Sequence, residues 1–184
     1  MIIKMMNEKF TKSLLLLIVF FTPILSACAS GGRISSNGFD EPDPETYVRL
    51  VPIVWEYFHH RKAVALSGNL DAFYVHYPEL SSGTDLEEGV NTEAFHAAAL
   101  QSFDLLDGDI FPEYYAPLRV RTQPDQIEIL THGMELYLYR DSAGNLGQTG
   151  GEFKIILYLR PDGEGWTLFR THQVTLDQWK DFNP

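Results

Sequence analysis

Arg170 and His172 are the residues of this 184-residue chain whose types and spacing point most directly to a chemical site. They lie two residues apart in the last predicted strand, where they alternate with Leu168 and Val174. Successive strand residues point to opposite faces, so both polar side chains are predicted to share one face of the sheet. A hairpin shift of one residue exchanges the faces, which leaves the inward direction open. If the face points inward, Arg170 favours an anionic or carbonyl-bearing ligand.

The histidines do not predict a metal site. His59 and His60 are adjacent, so on a helix they project about 100° apart and cannot easily share an ion. His132 and His172 lie in predicted strands, but the expected hairpins place another strand between them. They would then be out of register by several residues and roughly 10 Å or more apart.

Other common chemical motifs are also missing from the sequence. Asp104, Asp107 and Asp109 cluster near the predicted end of a helix, without the D-x-D-x-D-G loop and distal glutamate of a calcium-binding loop. No G-x-S-x-G, P-loop or dinucleotide-binding fingerprint occurs. We therefore expect no metal and no cofactor.

Cys28 is the only cysteine, and it follows a segment organised like a secretory signal. The basic region of this segment contains Lys4, Lys9 and Lys12, and residues 14–21 form an uninterrupted apolar run. This run is shorter than the about 20 apolar residues that a membrane-spanning helix needs. The segment therefore predicts export and cleavage.

The cleavage region, Leu25-Ser26-Ala27-Cys28, resembles a bacterial lipobox. The resemblance implies a signal peptide over residues 1–27 and a lipidated Cys28, whose acyl chains hold the protein on a membrane because each buried CH₂ contributes about 0.8 kcal/mol. The alternatives are a plain secretory signal and an uncleaved anchor helix. We expect the extracytoplasmic face of the cell membrane or outer membrane. The outer membrane is the default in a cell with two membranes, since Ala29 is not an aspartate.

The mature chain is strongly acidic. Loss of three lysines and one glutamate with the signal changes the formal charge from −11 to −13. Such a surface repels nucleic acid and anionic headgroups, so we expect no nucleic-acid partner and membrane association through the lipid alone. The Gly/Ser-rich residues 28–42 predict a flexible tether, and residues 43–184 predict the folded domain.

Three helices are predicted at the start of this domain. Asp43-Pro44-Glu45 is typical of a helix start, and apolar residues then recur at three- and four-residue steps until about Gly68. A second helix covers residues 69–77 and stops at Pro78. A third helix is capped by Asn91 or Thr92 and runs to about Leu106, and its predicted apolar side consists of Phe95, Ala98, Ala99, Phe103 and Leu106.

The remaining sequence changes to a period of two. Strands are predicted at residues 118–122, 126–139, 153–159 and 166–175, joined by Gly- and Asp-containing turns. Helices followed by an antiparallel meander indicate an α+β domain.

The "GNLDAF" break between the first two helices and the closing hairpin "GGEFKIILYLRPDGEGWTLFR" resemble the NTF2-like superfamily, including its SnoaL-like and ketosteroid-isomerase-like branches. The resemblance covers roughly residues 44–180. It implies three N-terminal helices packed in the hollow of a curved antiparallel sheet, with a pocket at the open end of this cone. The candidates for lining that pocket are Trp55, Tyr57, Tyr74, Tyr77, His132, Met134, Arg170 and His172.

An isomerase-like member of that superfamily would carry a tyrosine near the end of the first helix and an acid on the strand after the second helix. Arg61 occupies the place of the tyrosine here, and the segment after Pro78 is an acidic loop. Both departures argue against isomerase or dehydratase activity. If the chain is an enzyme, its acid-base groups are expected to be Tyr57, Arg170 and His172.

These expectations favour a lipid-anchored domain without catalysis that binds a small apolar or anionic ligand or another protein. The first alternative is an acid-base enzyme that uses the same pocket. The second is a structural envelope lipoprotein that forms a homodimer through exposed Tyr137, Tyr139 and Tyr158.

Overall fold

The computed structural model describes residues 38–81, 92–163, 165–175 and 178–182. The predicted signal peptide (residues 1–27), the lipidation site Cys28 and the tether up to residue 37 lie outside the described residues, so these remain predictions. Among the residues that are described, no helix combines the length and apolar composition needed to cross a membrane.

Helix α1 (Pro44–Ser67) begins and ends where the sequence predicts. The carboxylate of Asp43 accepts hydrogen bonds from the backbone N–H groups of Glu45 and Thr46, both at 3.0 Å. This satisfies donors that have no partner inside the helix. Gly68 ends the helix at a φ of 70°, a left-handed conformation that glycine adopts without steric penalty.

The second helix also follows the prediction, and the third is shorter than predicted. Helix α2 (Leu70–His76) is capped by the side chain of Asn69, and a 3₁₀ turn (Pro78–Ser81) follows it. Helix α3 (Thr92–Leu100) ends six residues before Leu106, because the chain enters a strand at residue 104.

The predicted apolar side of α3 is wrong. Phe95 is 66% exposed, whereas Glu93, His96, Ala97 and Leu100 are buried. The helix turns its Glu93–His96 side inward because these polar groups have buried partners in the fold, described below. The side of α3 that packs against the fold is therefore the one that carries the paired polar residues Glu93 and His96, and Phe95 faces solvent.

A four-stranded antiparallel meander follows the helices, with the strands in the order β1-β2-β3-β4. The strand β1 is much longer than the predicted strand at residues 118–122. The four strands are β1 (Asp104–Thr122), β2 (Ile127–Arg140), β3 (Leu146–Asp162) and β4 (Gly165–Gln173). The α+β architecture of three helices and a curved antiparallel sheet is confirmed.

The main core lies between the helices and one face of the sheet. Apolar side chains of α1, α2 and α3 pack there against inward-facing strand residues such as Ile129, Tyr137, Ile155 and Leu157, all of which are fully buried. In β2 the inward residues have odd numbers. The even-numbered side of this strand, which carries His132 and Met134, therefore faces away from the helices.

A second, smaller core covers the opposite face of the sheet. Phe39 is fully buried there with Leu130, Ile156 and Val174, and Asp40 forms an isolated antiparallel bridge with Val120. Residues 38–42 are therefore part of the fold, and the prediction of a tether that reaches residue 42 is wrong at that end. The large apolar area of one phenylalanine outweighs the polar composition around it.

Of the register shifts in the sheet, a bulge in β1 and a bulge in β4 matter most for which side chains share a face. In β1, residues 112–115 lie between the pairs Phe111↔Met134 and Ala116↔His132, where β2 has only Gly133. The four residues are pushed out of the ladder together. In β4, Phe169 is the extra residue between the pairs Leu159↔Leu168 and Tyr158↔Arg170.

We predict that Gly133→Ala destabilises the domain by about 1–3 kcal/mol, because a β-carbon there overpacks the sheet beneath the β1 bulge. That carbon would lie 2.5 Å from the carbonyl oxygen of Phe111 and 2.4 Å from the Cζ atom of Phe153. The free energy of unfolding is measured by urea denaturation of the full chain. Gly151→Ala is the matched control, since no described residue other than its chain neighbours comes within 4 Å of its added carbon. Equal stability of the two variants would contradict the packing that we describe.

Candidate functional site

An interior polar cluster joins α1, α3 and β4, and it consists of Tyr57, Arg61, Glu93, Thr171 and Gln173. One carboxylate oxygen of Glu93 accepts hydrogen bonds from the Tyr57 hydroxyl at 2.5 Å, from Arg61 Nη1 at 3.2 Å and from the Thr171 hydroxyl at 3.2 Å. The guanidinium of Arg61 also donates to the Tyr57 hydroxyl at 3.0 Å and to Gln173 Oε1 at 2.9 Å. The two opposite charges therefore meet within the protein interior.

Local sequence places each member of this cluster. Tyr57 and Arg61 are four residues apart on α1, so they share one face of the helix. Glu93 lies in the first turn of α3, where a negative charge is favoured by the unpaired backbone N–H groups. The bulge at Phe169 turns Thr171 and Gln173 toward the helices.

Burial and charge set the ionisation of the cluster. Arg61 is 1% exposed and Glu93 is 4% exposed. Burial is the largest influence and acts to lower the pKa of Arg61, but the charges of Glu93 and Glu135 and the interactions with Tyr57 together outweigh it, so the pKa is raised above its ordinary value. Burial, followed by the charge of Glu93, raises the pKa of Tyr57 well above its ordinary value. Tyr57 is therefore a neutral donor at physiological pH.

A second polar pair lies on the same side of the sheet. His96 Nε2 and Glu135 Oε2 are 2.8 Å apart. Burial acts to raise the pKa of Glu135, but the hydrogen bond and charge of His96 and the charge of Arg61 outweigh it, so the pKa lies below its ordinary value. Burial, followed by the charge of Glu135, raises the pKa of Tyr137. The interior thus holds two acid-base pairs and two neutral tyrosines.

Two buried polar atoms of this region, Arg61 Nε and the Tyr137 hydroxyl, make no hydrogen bond of good geometry within the described part of the chain, although the Tyr137 hydroxyl lies close enough to the Glu135 carboxylate to interact with it. Leaving a buried donor unbonded costs about 1–3 kcal/mol. A carbonyl or hydroxyl oxygen of a ligand would remove that penalty. These two atoms are the structural feature that most favours a ligand in the interior.

Of the predicted pocket residues, Tyr57, Tyr74 and Tyr77 lie with the helices and the main core. Tyr57 is fully buried, and its ring centroid lies 6.0 Å from that of Tyr77. Tyr74 is partly buried against the same core. Trp55, by contrast, is 45% exposed on the outer side of α1.

The other four predicted pocket residues, His132, Met134, Arg170 and His172, lie on the sheet face away from the helices. The guanidinium of Arg170 lies over the Tyr158 ring at 3.9 Å. His172 is 3.2 Å from Gln178 Oε1. For Arg170 and His172 the physical reason is the β4 bulge, which places Leu168 inward and these two residues outward, whereas His132 and Met134 lie on the even-numbered side of β2. The structure therefore does not bring Tyr57 together with Arg170 and His172.

The three tyrosines predicted as an exposed dimer surface are not exposed. Tyr137 is fully buried and Tyr158 is 8% exposed. Tyr139 packs on Phe103 with ring centroids 4.9 Å apart. The prediction that these tyrosines are exposed is therefore wrong, because Tyr137 belongs to the main core and Tyr158 to the smaller one.

The histidines of the helices pair with aromatic neighbours. The ring of His60 stacks on His76 at a centroid distance of 3.9 Å. Burial, followed by the charge of His76, lowers the pKa of His60. His132 and His172 pair with Lys154 and Ile156 of β3, so a strand separates them as predicted. No group of three or more potential ligands is found among the described residues.

A surface pocket opens at the β1 bulge, and we call it the tyrosine pocket. Its volume is about 400 Å³, and it is lined by Tyr47, Glu113, Tyr114, Tyr115, Ala116 and Pro117. The Glu113 carboxylate accepts hydrogen bonds from the Tyr47 hydroxyl, at 3.0 and 3.1 Å, and from the backbone N–H of Leu118 at 3.0 Å. These bonds hold the carboxylate at the wall of the pocket.

An apolar pocket of about 350 Å³ adjoins the tyrosine pocket. It shares Tyr47 and Pro117 with the tyrosine pocket, and its other lining residues are Glu41, Pro42, Pro44, Val48 and Leu118. The two pockets therefore lie side by side between the start of α1 and β1, and we call them together the groove.

Sequence reasoning identified Tyr57 but missed Glu93 and His96 in the interior, and it missed the residues that line the tyrosine pocket, although each of these has a signal. Glu93 and His96 have the E-x-x-H spacing, which places both on one face of a helix. Pro112 and Pro117 flank Tyr114 and Tyr115 inside a strand. Proline cannot donate to a strand ladder, so this pattern indicates a bulge with exposed aromatic side chains.

We predict that Arg61→Met and Glu93→Met each destabilise the domain by about 3–5 kcal/mol, because each leaves one buried charge unpaired. The double variant Arg61→Met/Glu93→Met is expected to lose less than the sum of the two single losses. The free energies of unfolding are measured by urea denaturation and combined as a double-mutant cycle. Losses that simply add would show that the pair is not coupled.

Comparisons with known proteins show no close relative. No protein-family model matches the sequence, and no curated protein matches it significantly. A crystal structure of an NTF2-like family protein from Streptomyces avermitilis is similar over 71% of this chain and 97% of its own, with 15% identity and a TM-score of 0.42. The intermembrane-space region of the chloroplast protein ARC6 is similar over 72% of this chain and 97% of its own, with 12% identity and a TM-score of 0.38.

Proposed function

We propose that the chain is a lipid-anchored binding protein on the extracytoplasmic face of a membrane. It binds a small ligand, or a segment of another protein, at the tyrosine pocket and performs no catalysis. The anchor rests on the sequence of residues 1–28, and the binding role rests on the groove between α1 and β1.

The observation that carries the binding role is the exposure of aromatic side chains around a concave surface. Tyr114 is 62% exposed, Tyr115 is 45% exposed and the neighbouring Phe111 is 40% exposed. A cluster of exposed aromatic rings beside a pocket is typical of a recognition site, since burial of these rings is favourable and their hydroxyl groups can still bond. The bulge supports this role, because it directs a run of strand residues out of the ladder at this place.

The interior is less suited to acid-base catalysis. A general base needs a lone pair that can reach a substrate. One carboxylate oxygen of Glu93 already accepts hydrogen bonds from three donors. The carboxylate of Glu135 is already hydrogen-bonded to the His96 ring. These pairs therefore stabilise the helix-sheet arrangement in our proposal.

An interior ligand site, with or without acid-base chemistry, is the second candidate. Arg61 Nε, which has no hydrogen-bond partner among the described residues, and the poorly bonded Tyr137 hydroxyl favour it. The interior holds one guanidinium, from Arg61, and two carboxylates, from Glu93 and Glu135, so these three groups provide no net positive charge for an anion. A neutral carbonyl-bearing ligand therefore fits this site better than an anion.

A single experiment distinguishes binding at the tyrosine pocket from binding at the interior site. Saturation-transfer NMR is recorded on the full chain in maltoside detergent with indole, cyclohexanol and N-acetylproline methylamide as probes. We expect Tyr114→Ala/Tyr115→Ala to abolish the signals, because it removes the aromatic walls, and Tyr137→Phe to retain them. Circular dichroism checks that both variants fold. Loss of signal in Tyr137→Phe alone would favour the interior site, and the absence of any signal with the unaltered chain would refute the binding role.

The anchor is tested by fractionation of cells that produce the full chain. We expect Cys28→Ser to move the protein from the membrane to the soluble fraction, because no acyl chain can be attached. Ser30→Ala keeps the cysteine and is expected to stay with the membrane. Retention of Cys28→Ser in the membrane fraction would instead indicate an uncleaved anchor helix.

A further inference from the structure

We propose that the tyrosine pocket binds a small organic ammonium ion that carries an apolar substituent. This inference rests on the proposed function, since it names the ligand class of the same pocket. It is carried by a carboxylate without a basic partner, by the aromatic walls beside it and by the adjoining apolar pocket.

The first support is the charge of the pocket. Glu113 bonds only to a tyrosine hydroxyl and a backbone N–H group, and no Lys, Arg or His of the described ranges lies within ion-pair distance of it. The nearby acids differ, because Glu41 pairs with Arg119 at 3.5 Å and Glu152 pairs with His132 at 2.5 Å. Glu113 therefore supplies a fixed negative charge that a cation would neutralise.

The second support is the arrangement of the aromatic rings. The rings of Tyr114 and Tyr115 have centroids 4.9 Å apart and meet at 76°, so they form two nearly perpendicular walls. The Tyr115 ring also stacks on His132 at 5.1 Å, which limits its rotation. An ammonium ion over the face of a tyrosine ring gains about 0.5–2 kcal/mol, depending on how far it is desolvated.

The pKa values of both tyrosines that border Glu113 and His132 are raised. Burial, followed by the hydrogen bond to Glu113, raises the pKa of Tyr47. Burial, followed by the charge of Glu152, raises the pKa of Tyr115. Both phenols therefore stay neutral, so they present uncharged ring faces beside the Glu113 carboxylate.

The third support is the adjoining apolar pocket. Pro42, Pro44 and Val48 line its far side, and Val48 is 70% exposed. An apolar group bonded to the ammonium nitrogen would cover this surface when the nitrogen lies at Glu113. Tyr47 borders both pockets and would contact both parts of the ligand.

Titration calorimetry on the full chain in maltoside detergent tests this inference with three probes. Choline and butyltrimethylammonium carry the cation, and 3,3-dimethylbutan-1-ol is the neutral isostere of choline. We expect choline to bind at least tenfold more tightly than the isostere, because only the cation meets Glu113. We expect butyltrimethylammonium to bind more tightly than choline, because its alkyl chain enters the apolar pocket.

Two variants that each remove one carboxylate test whether Glu113 is the group that favours the cation. Glu113→Gln is expected to weaken choline binding about tenfold, equivalent to about 1.4 kcal/mol, and to leave binding of the isostere unchanged. Asp125→Asn, in the exposed turn between β1 and β2, removes one negative charge away from the pocket and is expected to change neither.

Three outcomes would overturn the inference: no cation binding, equal affinity for choline and its isostere, or no effect of Glu113→Gln. The proposed binding role would survive each of these if the neutral probes of the NMR experiment still depend on Tyr114 and Tyr115. The experiments can therefore refute the ammonium ligand without refuting the binding role of the tyrosine pocket.

Discussion

The ion pair between Arg61 and Glu93 is the constraint to which the other parts of the helix-sheet interface conform. A guanidinium that is 1% exposed must meet a carboxylate, because an unpaired buried charge would destabilise the fold by several kcal/mol. Glu93 is on α3 and Arg61 is on α1, so their pairing fixes the two helices against each other. Thr171 and Gln173 complete the bonding from β4. This requirement also explains why α3 turns its polar side inward and leaves Phe95 exposed.

The bulges determine the chemistry of both sheet faces. Without the extra residue at Phe169, Leu168, Arg170 and His172 would share one face. With it, Leu168 enters the main core and Arg170 lies over Tyr158 on the opposite face. The β1 bulge acts in the same way on a larger scale, since it releases four residues from the ladder and forms the tyrosine pocket beside α1.

The interior and the surface pocket therefore have different physical characters. Most polar groups of the interior bond to one another, so their interactions mainly stabilise the fold. In the tyrosine pocket, hydrogen bonds fix the orientation of Glu113, and stacking on His132 fixes the ring of Tyr115. The tyrosine rings nevertheless remain exposed to solvent on the side of the pocket. Preorganised groups with an open side lose little entropy when a ligand arrives, which favours recognition at this surface.

Much of the fold could be predicted from local sequence. Asp43, Gly68, Asn69 and Pro78 set the ends of α1 and α2 through capping and backbone conformation, which depend only on neighbouring residues. The alternation of apolar residues likewise predicted most of the antiparallel strands. The lipobox ending at Cys28 is also a purely local signal, and the anchor that it predicts needs no knowledge of the fold.

Tertiary structure decided which residues meet one another in the sites. The inward face of β4 depends on one extra residue in a ladder, and the sequence pattern of a strand is the same before and after a shift of one position. The burial of Phe39 depends on a sheet surface that distant residues create. The pairing of Arg61 with Glu93 and the position of Tyr47 at Glu113 join residues 32 and 66 positions apart. Such contacts arise from packing across the whole domain, and no local pattern of residues encodes them.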